Sequence, residues 1–325
     1  MLAVTSLSQS ALAAAPVLAV VERSGFVESV HHGIAVVTNP DGSVERAIGD
    51  AGAPCFPRSS NKPMQAIAML EAGLQASGAH LALAAASHSG EDFHLEGVRA
   101  ILAAAGLTED DLQNTPDYPY DDLARRAWIE TGRGPTSLAQ NCSGKHASML
   151  AACVAAGWDP STYRSPDHPL QVLTASSLAS LAGEPVAATG IDGCGAPVMA
   201  ISLAGLARAF GSIAAATSGP AAAVRDAIRG YPEYLGGTRR DVTALIRGVD
   251  GLIAKDGAEA VYAVGLADGR GLALKIADGG QRARPAIMAS LLSSVGIRAE
   301  VLETLSEVPV PGHGQPVGAV RVVGI

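Results

Sequence analysis

The chain has 325 residues, with 23 Lys plus Arg and 31 Asp plus Glu, and its formal net charge is −8. Hydrophobic residues make up 48% and charged residues 17%, which excludes an intrinsically disordered chain. The basic excess that a dedicated nucleic-acid-binding protein needs to neutralise phosphates is missing. Four Cys are too few for a disulfide scaffold and fit a reducing compartment. We therefore expect a cytoplasmic protein.

The N-terminal segment contains an apolar run over 11–21, interrupted by Pro16. It is too short to cross a membrane, which takes about 20 apolar residues. Small residues around Ala13 resemble a signal-peptide cleavage site. No Lys or Arg precedes Arg23, however, so the positive region of a signal peptide is missing. We predict a flexible segment over 1–16 and a single folded domain over 17–325.

The remaining chain separates into three parts by its local patterns. Short β-branched runs and a turn at 39–42 come first, an Ala- and Leu-rich helical region fills about 60–230, and strands return near residue 251. The predicted strands are 17–22, 26–31, 34–38, 44–48, 185–189, 260–267 and 271–277. The predicted helices are 61–74, 93–107, 121–131, 145–156, 169–182, 198–215, 221–229 and 286–295.

This order predicts an α+β fold and not βαβ alternation. We expect an antiparallel sheet built from N- and C-terminal strands and packed with helices, plus a helical middle region. Neither GxGxxG nor a P-loop is present, so the sequence gives no local support for nucleotide binding.

The segment 55–64 carries the first candidate chemistry. Ser59 and Lys62 stand in an S-x-x-K relation, and residues three apart on a helix share one face. A hydroxyl needs an adjacent base to act as a nucleophile, and a lysine serves only when its amine is neutral. A helix cap at Ser59 with a solvated Lys62 explains the same letters. Ser60 competes for the hydroxyl role, but it lies off the face of Lys62.

Three further polar clusters contain candidate residues. Ser87 and His88 end a run of small residues, where they can meet a substrate or simply satisfy helix carbonyls. Cys142 precedes a helix in N-C-S-G-K-H, and Cys194 follows Asp192 and Gly193 in a glycine-rich loop. From spacing alone the two cysteines can share a metal, form a disulfide or merely pack.

The last candidate is Lys255, which stands before a Gly-containing turn and a strand. In serine acyl-transfer enzymes with S-x-x-K, a second lysine and a glycine on an edge strand line the site. A surface lysine beside an ordinary turn is the simpler alternative. Lys275, on the next strand, is a rival for the role.

Taken together and in this order, the motifs resemble the rhizobial-type L-asparaginases of the asparaginase II family. The resemblance runs from about 27 to 278. The motifs are P-R-S-x-x-K-P-x-Q, A-S-H-S-G-E, N-C-S-G-K-H, D-H-P, D-G-C-x-x-P and K-x-G-A-x-x-x-Y-A-x-G. The resemblance implies a catalytic domain with the fold of serine β-lactamases, penicillin-binding proteins and serine glutaminases. It also implies hydrolysis of L-asparagine to L-aspartate and ammonia.

The resemblance further implies roles for individual residues. Ser59 is expected as the nucleophile with Lys62 as its base, and Ser87 with Lys255 as a second Ser–Lys pair. Arg58 and Asp192 match residues close to the substrate. We expect a substrate-binding set made up of Arg58, His88, Asn141, Asp192 and Gly193, and a zinc-binding set made up of Cys142, Lys145 and Cys194.

The zinc is expected to help hold the substrate and not to generate the nucleophile, and no organic cofactor is expected. Alternative functions are a glutaminase or other β-lactamase-like serine amidase, a zinc-dependent hydrolase, and a non-catalytic amino-acid- or metal-binding protein. We expect a small-molecule substrate and a homodimer, and neither nucleic acid nor membrane as a partner.

Overall fold

The computed structural model describes residues 11–325. Most of the predicted segment 1–16 therefore lies outside the described residues. The strands are β1 (Val17–Arg23), β2 (Phe26–Thr38), β3 (Val44–Ile48), β4 (Pro54–Cys55), β5 (Ala188–Ile191), β6 (Pro197–Ser202), β7 (Ile253–Gly257), β8 (Val261–Gly265), β9 (Gly271–Ile276), β10 (Pro309–Gly312) and β11 (Gln315–Val322).

The helices fill the region between the N- and C-terminal strands and return near the end of the chain. They are α1 (Lys62–Glu71), α2 (Gly78–Ala84), α3 (Asp92–Ala104), α4 (Asp122–Glu130), α5 (Ser143–Ala156), α6 (Pro169–Ala182), α7 (Leu203–Ala215), α8 (Gly219–Gly230), α9 (Pro232–Leu235), α10 (Asp241–Gly248), α11 (Arg284–Ser294) and α12 (Glu300–Ser306). None of these helices has both the length and the apolar character needed to cross a membrane.

The main sheet joins both ends of the described chain. Its strand order is β10-β11-β1-β2-β9-β8-β7, with β3 paired to β2, and all of these pairs are antiparallel. A smaller sheet has the order β4-β6-β5. The predicted α+β architecture is therefore confirmed, and β7 forms one edge of the main sheet.

Helices cover both faces of this sheet. Gly265 and Gly271 lie against the α7 backbone, whereas Tyr262, on the opposite face of β8, lies under the guanidinium of Arg284 at the start of α11. Because successive strand residues point to opposite faces, α7 and α11 pack on opposite sides. The strands β7, β8 and β9 are consequently buried on both faces.

Several predicted elements differ from the structure. Residues 198–202 of the predicted helix 198–215 belong to β6, whose six residues are all buried, so the strand shows no alternation. The two predicted strands over 26–38 are one strand, β2. Lys255, predicted to stand before a turn and a strand, itself lies within the strand β7. The elements that were not predicted are α2, α9, α10, α12, β4, β7, β10 and β11, because segments that are short, half-buried or buried on both faces carry weak periodicity.

The contact of α7 with the sheet generates a stability prediction. A Cβ at Gly271 would stand 1.8 Å from the carbonyl oxygen of Ala207, so Gly271→Ala must push helix and strand apart. We expect a loss of about 1–3 kcal/mol in the free energy of unfolding, as for other overpacked cores, measured by denaturant unfolding. Gly230→Ala is the matched control, since nothing lies within 4 Å of its Cβ position. Equal effects from both substitutions would contradict the close-packing argument.

Candidate active site

The first predicted pair lies at the start of α1. A 3-10 turn over Arg58–Asn61 leads into the helix, and Arg58 has a φ of 51°, a left-handed conformation that is rare for a residue with a side chain. Ser59 is half-buried at this turn. Ser60 is fully buried, and its Oγ donates to the Lys255 carbonyl oxygen at 3.0 Å. The Ser60 hydroxyl therefore ties the helix start to β7.

The same turn lies directly against the backbone of the edge strand. A Cβ at Gly257 would stand 2.7 Å from the Pro57 carbonyl oxygen and 2.9 Å from Ser60 Oγ. Only glycine allows this approach without displacement of the turn. The turn that carries Ser59 is therefore in direct contact with the end of β7.

Lys62 is buried beneath that turn. Its Nζ donates to the Ala86 carbonyl oxygen at 2.5 Å, to Ser87 Oγ at 3.0 Å and to Cys142 Sγ at 3.0 Å. These three contacts use the three N–H groups of an ammonium. Lys62 thus joins the first serine cluster, the second serine cluster and the cysteine site.

The Ser87 segment is held by buried polar contacts. His88 Nδ1 accepts from the Gly90 backbone N–H, so Nε2 carries the ring proton and donates to Ser143 Oγ at 2.8 Å. Burial holds the pKa of His88 well below its usual range, and nearby cationic groups lower it further. A neutral imidazole with both nitrogens engaged is a structural support, so His88 braces the first turn of α5 and the loop after Ser87.

The predicted zinc-binding residues converge. Lys145 Nζ lies 3.2 Å from Cys194 Sγ, and Asn141 Oδ1 lies 3.2 Å from Cys142 Sγ. A hydrogen bond from the Cys194 thiol lowers the pKa of Cys142 despite burial, and Lys62 and Lys145 lower it further. All four cysteines are free thiols. The contact with Cys194 and the two nearby lysines therefore favour the thiolate form of Cys142 over that of Cys194.

The predicted substrate-binding pair is also formed. Arg58 Nη2 contacts Asp192 Oδ1 at 2.7 Å, and the Gly193 backbone N–H donates to the same oxygen at 2.7 Å. Burial opposes the charge of Asp192, but Lys145 and Arg58 outweigh it and lower the pKa of its carboxyl. A second carboxylate, Glu259, lies 3.8 Å from Arg58. A guanidinium beside two carboxylates suits a zwitterionic amino acid.

The second predicted Ser–Lys pair has a different geometry. Lys255 Nζ donates to the Asp256 carbonyl oxygen at 2.7 Å and to Asp256 Oδ1 at 2.8 Å, while Ser87 Oγ accepts from Lys62. Lys255 and Ser87 are linked indirectly, because Arg240 contacts both the Asp256 carboxylate and the Ser87 carbonyl oxygen. The catalytic pairing of Ser87 with Lys255 stays a prediction.

The charged residues around Lys255 were not predicted from the sequence. Asp256, Arg240 and Arg284 form a largely buried cluster. An acidic residue directly after Lys255 in an apolar strand was the available signal for Asp256. The rival Lys275 is engaged elsewhere, since its Nζ donates to the carbonyl oxygens of Glu259 and Ile276 at 2.6 and 2.8 Å.

Lysine has an unusual distribution in this chain. The sequence contains four lysines and nineteen arginines, and Lys62, Lys145, Lys255 and Lys275 are exposed by 1%, 1%, 0% and 7%. Lysines normally lie on the surface. Every side-chain amine of the protein is therefore buried, and three of the four line the candidate site.

Comparison with known protein families identifies the family of this chain. Residues 19–322 match the model of the L-asparaginase II family, which extends beyond the 27–278 resemblance on both sides. The chain belongs to the L-asparaginase II family. This membership supports an amidohydrolase. A search of curated proteins found no significant match.

Similar solved structures are remote in sequence. A β-lactamase from Mycobacterium bovis is 15% identical, with a TM-score of 0.45 over 82% of this chain and 95% of the other. Mglu in its native form is 12% identical, with a TM-score of 0.46 over 82% of this chain and 61% of the other. Simvastatin synthase from Aspergillus terreus is 12% identical, with a TM-score of 0.35 over 75% and 86%.

The donor set of this family member fits zinc. Zinc accepts thiolate and nitrogen ligands, and Cys142, Cys194 and Lys145 bring two thiols and an amine together. No three His, Cys, Asp or Glu side chains group as metal donors in residues 11–325, and Lys145 is the nitrogen donor that lies beside Cys194. Burial lowers the pKa of Lys145, but the two cysteines and Asp192 outweigh it and raise that pKa. Metal binding must therefore displace the Lys145 proton.

We expect protein purified without chelator to contain about one zinc per chain, and Cys142→Ser and Lys145→Met to lose it. Elemental analysis gives the stoichiometry, and thermal melting with added zinc gives a measure independent of activity. Cys55→Ser is the matched control, because Cys55 lies outside the set and carries no partner thiol. Full zinc content in Cys142→Ser would contradict the assignment.

Proposed function

We propose that the protein is an L-asparaginase that hydrolyses L-asparagine to L-aspartate and ammonia through a serine acyl-enzyme. The observation that carries the proposal is the contact between the Ser59 turn and the backbone at Gly257, in a member of the L-asparaginase II family. We propose that the Ser59 hydroxyl, the buried Lys62 amine and backbone N–H groups of this turn act on one bound substrate. These are the groups that acyl transfer requires.

In the proposed acylation step, the Lys62 ammonium has first lost one proton to solvent. Ser59 Oγ attacks the side-chain amide carbonyl of asparagine, and the neutral Lys62 amine accepts the hydroxyl proton. Lys62 Nζ contacts Ser87 Oγ and Cys142 Sγ in this structure, and catalytic hydrogen bonds often tighten only in the Michaelis complex. The C–N bond breaks, ammonia leaves with a proton relayed from Lys255, and an aspartyl ester remains on Ser59. Water then hydrolyses the ester to aspartate.

Ser59 is favoured over Ser60 because of their different hydrogen bonds. Ser60 is fully buried and its hydroxyl is held by the Lys255 carbonyl oxygen, whereas Ser59 is half-buried at the turn. The proposed oxyanion donors are the backbone N–H of Ser59 and one N–H from 257–259. Removal of one such donor typically costs about 2.7–4 kcal/mol of transition-state stabilisation.

The substrate backbone is proposed to bind across the Arg58–Asp192 pair. Arg58 suits the α-carboxylate, and the carboxylates of Asp192 and Glu259 suit the α-ammonium. Zinc held by Cys142, Lys145 and Cys194 would supply a fixed positive charge that helps to anchor the substrate. Ser59 and Lys62 are not members of that donor set, although Lys62 Nζ contacts Cys142 Sγ, and the chemical step is assigned to these side chains and not to the metal.

The activity is tested by measuring ammonia release from L-asparagine and L-glutamine and cleavage of a chromogenic β-lactam, each with and without chelator. We expect L-asparagine to be hydrolysed, and chelator to raise KM more than it lowers kcat. Preference for glutamine or the β-lactam would replace the asparaginase assignment with a related serine amidase. Loss of all kcat on chelation, restored by zinc, would favour a zinc-dependent hydrolase.

The nucleophile is tested with two neighbouring serines. Ser59→Ala should abolish amide hydrolysis and keep the fold, because the loss of one half-buried hydroxyl leaves little cavity. Ser60→Ala should retain substantial kcat, although loss of its contact to β7 should lower Tm. Circular dichroism and steady-state kinetics report both quantities. An inactive Ser60→Ala beside an active Ser59→Ala would exchange the two roles.

The lysine roles are tested with one substitution at three positions. Lys62→Met and Lys255→Met should each lower kcat by about 10²–10⁴-fold, the range for general acid–base groups. Lys275→Met should be mild in kcat, since its ammonium supports one backbone carbonyl in the turn after β7 and one at the end of β9. Steady-state kinetics decide between them. A severe Lys275→Met beside a normal Lys255→Met would move the second lysine role to β9.

A further inference from the structure

Five charged side chains form a largely buried cluster at the edge strand β7, namely Lys255, Asp256, Arg240, Arg284 and Asp241. The Asp256 carboxylate contacts Lys255 at 2.8 Å, Arg240 at 2.5 Å and Arg284 at 3.4 Å, and Asp256 is only 4% exposed. Arg284 also contacts Asp241 at 2.7 Å. Buried charges are costly unless they are paired. One carboxylate therefore serves as the common acceptor for three cations.

The edge position of β7 allows the Lys255–Asp256 contact. Neighbouring residues on a strand point to opposite faces, and no strand pairs with β7 on its outer side in the described sheet. The Lys255 amine can therefore reach round the edge to the carboxylate. Two of its N–H groups go to Asp256, and an ammonium has a third. That third N–H is the one available to the reaction.

The cluster also extends to the second serine. Arg240 Nη1 donates to the Ser87 carbonyl oxygen at 3.2 Å, while its Nη2 donates to Asp256. Asp256 thus fixes both the Lys255 amine and, through Arg240, the Ser87 backbone. Asp241 belongs to the same cluster but contacts Arg284 and not Lys255.

The charge state of Lys255 depends on this surrounding. Burial lowers the pKa of Lys255 to about 8, Asp256 opposes that change, and the positive charges of Lys62 and Arg240 add to it. The Asp256 carboxylate lies on the face of the sheet opposite to that of Lys255. There it is surrounded by Arg284, Asp241 and Tyr262. Burial raises the pKa of Asp256, but Lys255, Arg240 and Arg284 outweigh it and hold that pKa well below its usual range. Asp256 is thus the anion that keeps Lys255 protonated.

We infer that Asp256 is a positioning residue of the amidase site, which holds Lys255 as the ammonium that donates a proton to the leaving ammonia. The inference rests on the proposed function. In this step the C–N bond of the tetrahedral intermediate breaks. The nitrogen takes the electron pair of that bond and a proton from Lys255, and it leaves as ammonia. The neutral Lys255 amine regains its proton when water attacks the ester.

The test replaces the carboxylate with an amide in Asp256→Asn. Loss of an opposite charge at this distance lowers a lysine pKa by roughly one unit or more. Because the protonated amine is the active form, the alkaline limb of the kcat/KM profile should move to lower pH by a similar amount, and kcat/KM at pH 8 should fall about fivefold or more. Asp241→Asn removes the same charge from the cluster without touching Lys255, and should leave the limb in place.

The titration of Lys255 is measured independently of activity. Protein labelled with ¹³C,¹⁵N-lysine carries only four labelled side chains, and Lys255→Met identifies the Lys255 signal. The titration midpoint of the Lys255 amine should be lower in Asp256→Asn and unchanged in Asp241→Asn. Since Asp256→Asn leaves Arg240 and Arg284 without their shared acceptor, the charge-balanced Asp256→Asn/Arg284→Gln variant is measured beside it, with the same expected shift.

Each outcome decides the inference. The role of Asp256 is supported if Asp256→Asn lowers the titration midpoint of Lys255 and moves the alkaline limb of the kcat/KM profile by a similar amount. An unchanged midpoint, equal shifts in the Asp241 variant, or a shifted midpoint without a shifted limb would overturn the role of Asp256. A wild-type protein that hydrolyses none of the amides would remove the proposed function itself, and the role of Asp256 in it, whatever the titration shows.

Discussion

The burial of several like charges next to each other is the constraint on which the candidate site depends. Lys62, Lys145 and Lys255 are all essentially inaccessible to water, and ammonium groups in such surroundings lose their protons or need anions. The chain places an acidic group beside each: Cys142 beside Lys62, Cys142 and Asp192 beside Lys145, and the Asp256 carboxylate beside Lys255. The charge states of the buried lysines and of the cysteines beside them therefore depend on each other.

The fold brings these pairs together from distant parts of the chain. The start of α1, the loop before α5, the loop after β5 and the edge strand β7 each contribute one element of the site. The hydroxyl of Ser60 and the bare backbone of Gly257 hold α1 against β7. On the sheet, Gly265 and Gly271 let α7 approach β8 and β9. Small residues thus allow the close approach of helices to strands, and charged residues supply the groups of the candidate site.

The sequence carried different amounts of information about different parts of this structure. The convergence of Cys142, Lys145 and Cys194 was predicted from motif order, because family motifs preserve the sites that they build. The Asp256–Arg240–Arg284 cluster was not predicted, since its partners lie 16 and 28 residues apart and no local period records such contacts. The failure at β6 has a related cause, because a strand buried on both faces has lost its alternation.

The complete burial of lysine gives the protein a distinctive surface chemistry. Arginine carries all of the positive side-chain charge that faces solvent, so amine-reactive coupling reagents meet no accessible side-chain amine on the folded protein. A lysine-specific protease likewise reaches its four cleavage sites only when the chain unfolds locally. An arginine-specific protease does not depend on unfolding in this way, because arginines lie on the surface. Modification or cleavage at lysine would thus report local unfolding, and for three of the four positions it would report unfolding of the candidate site itself.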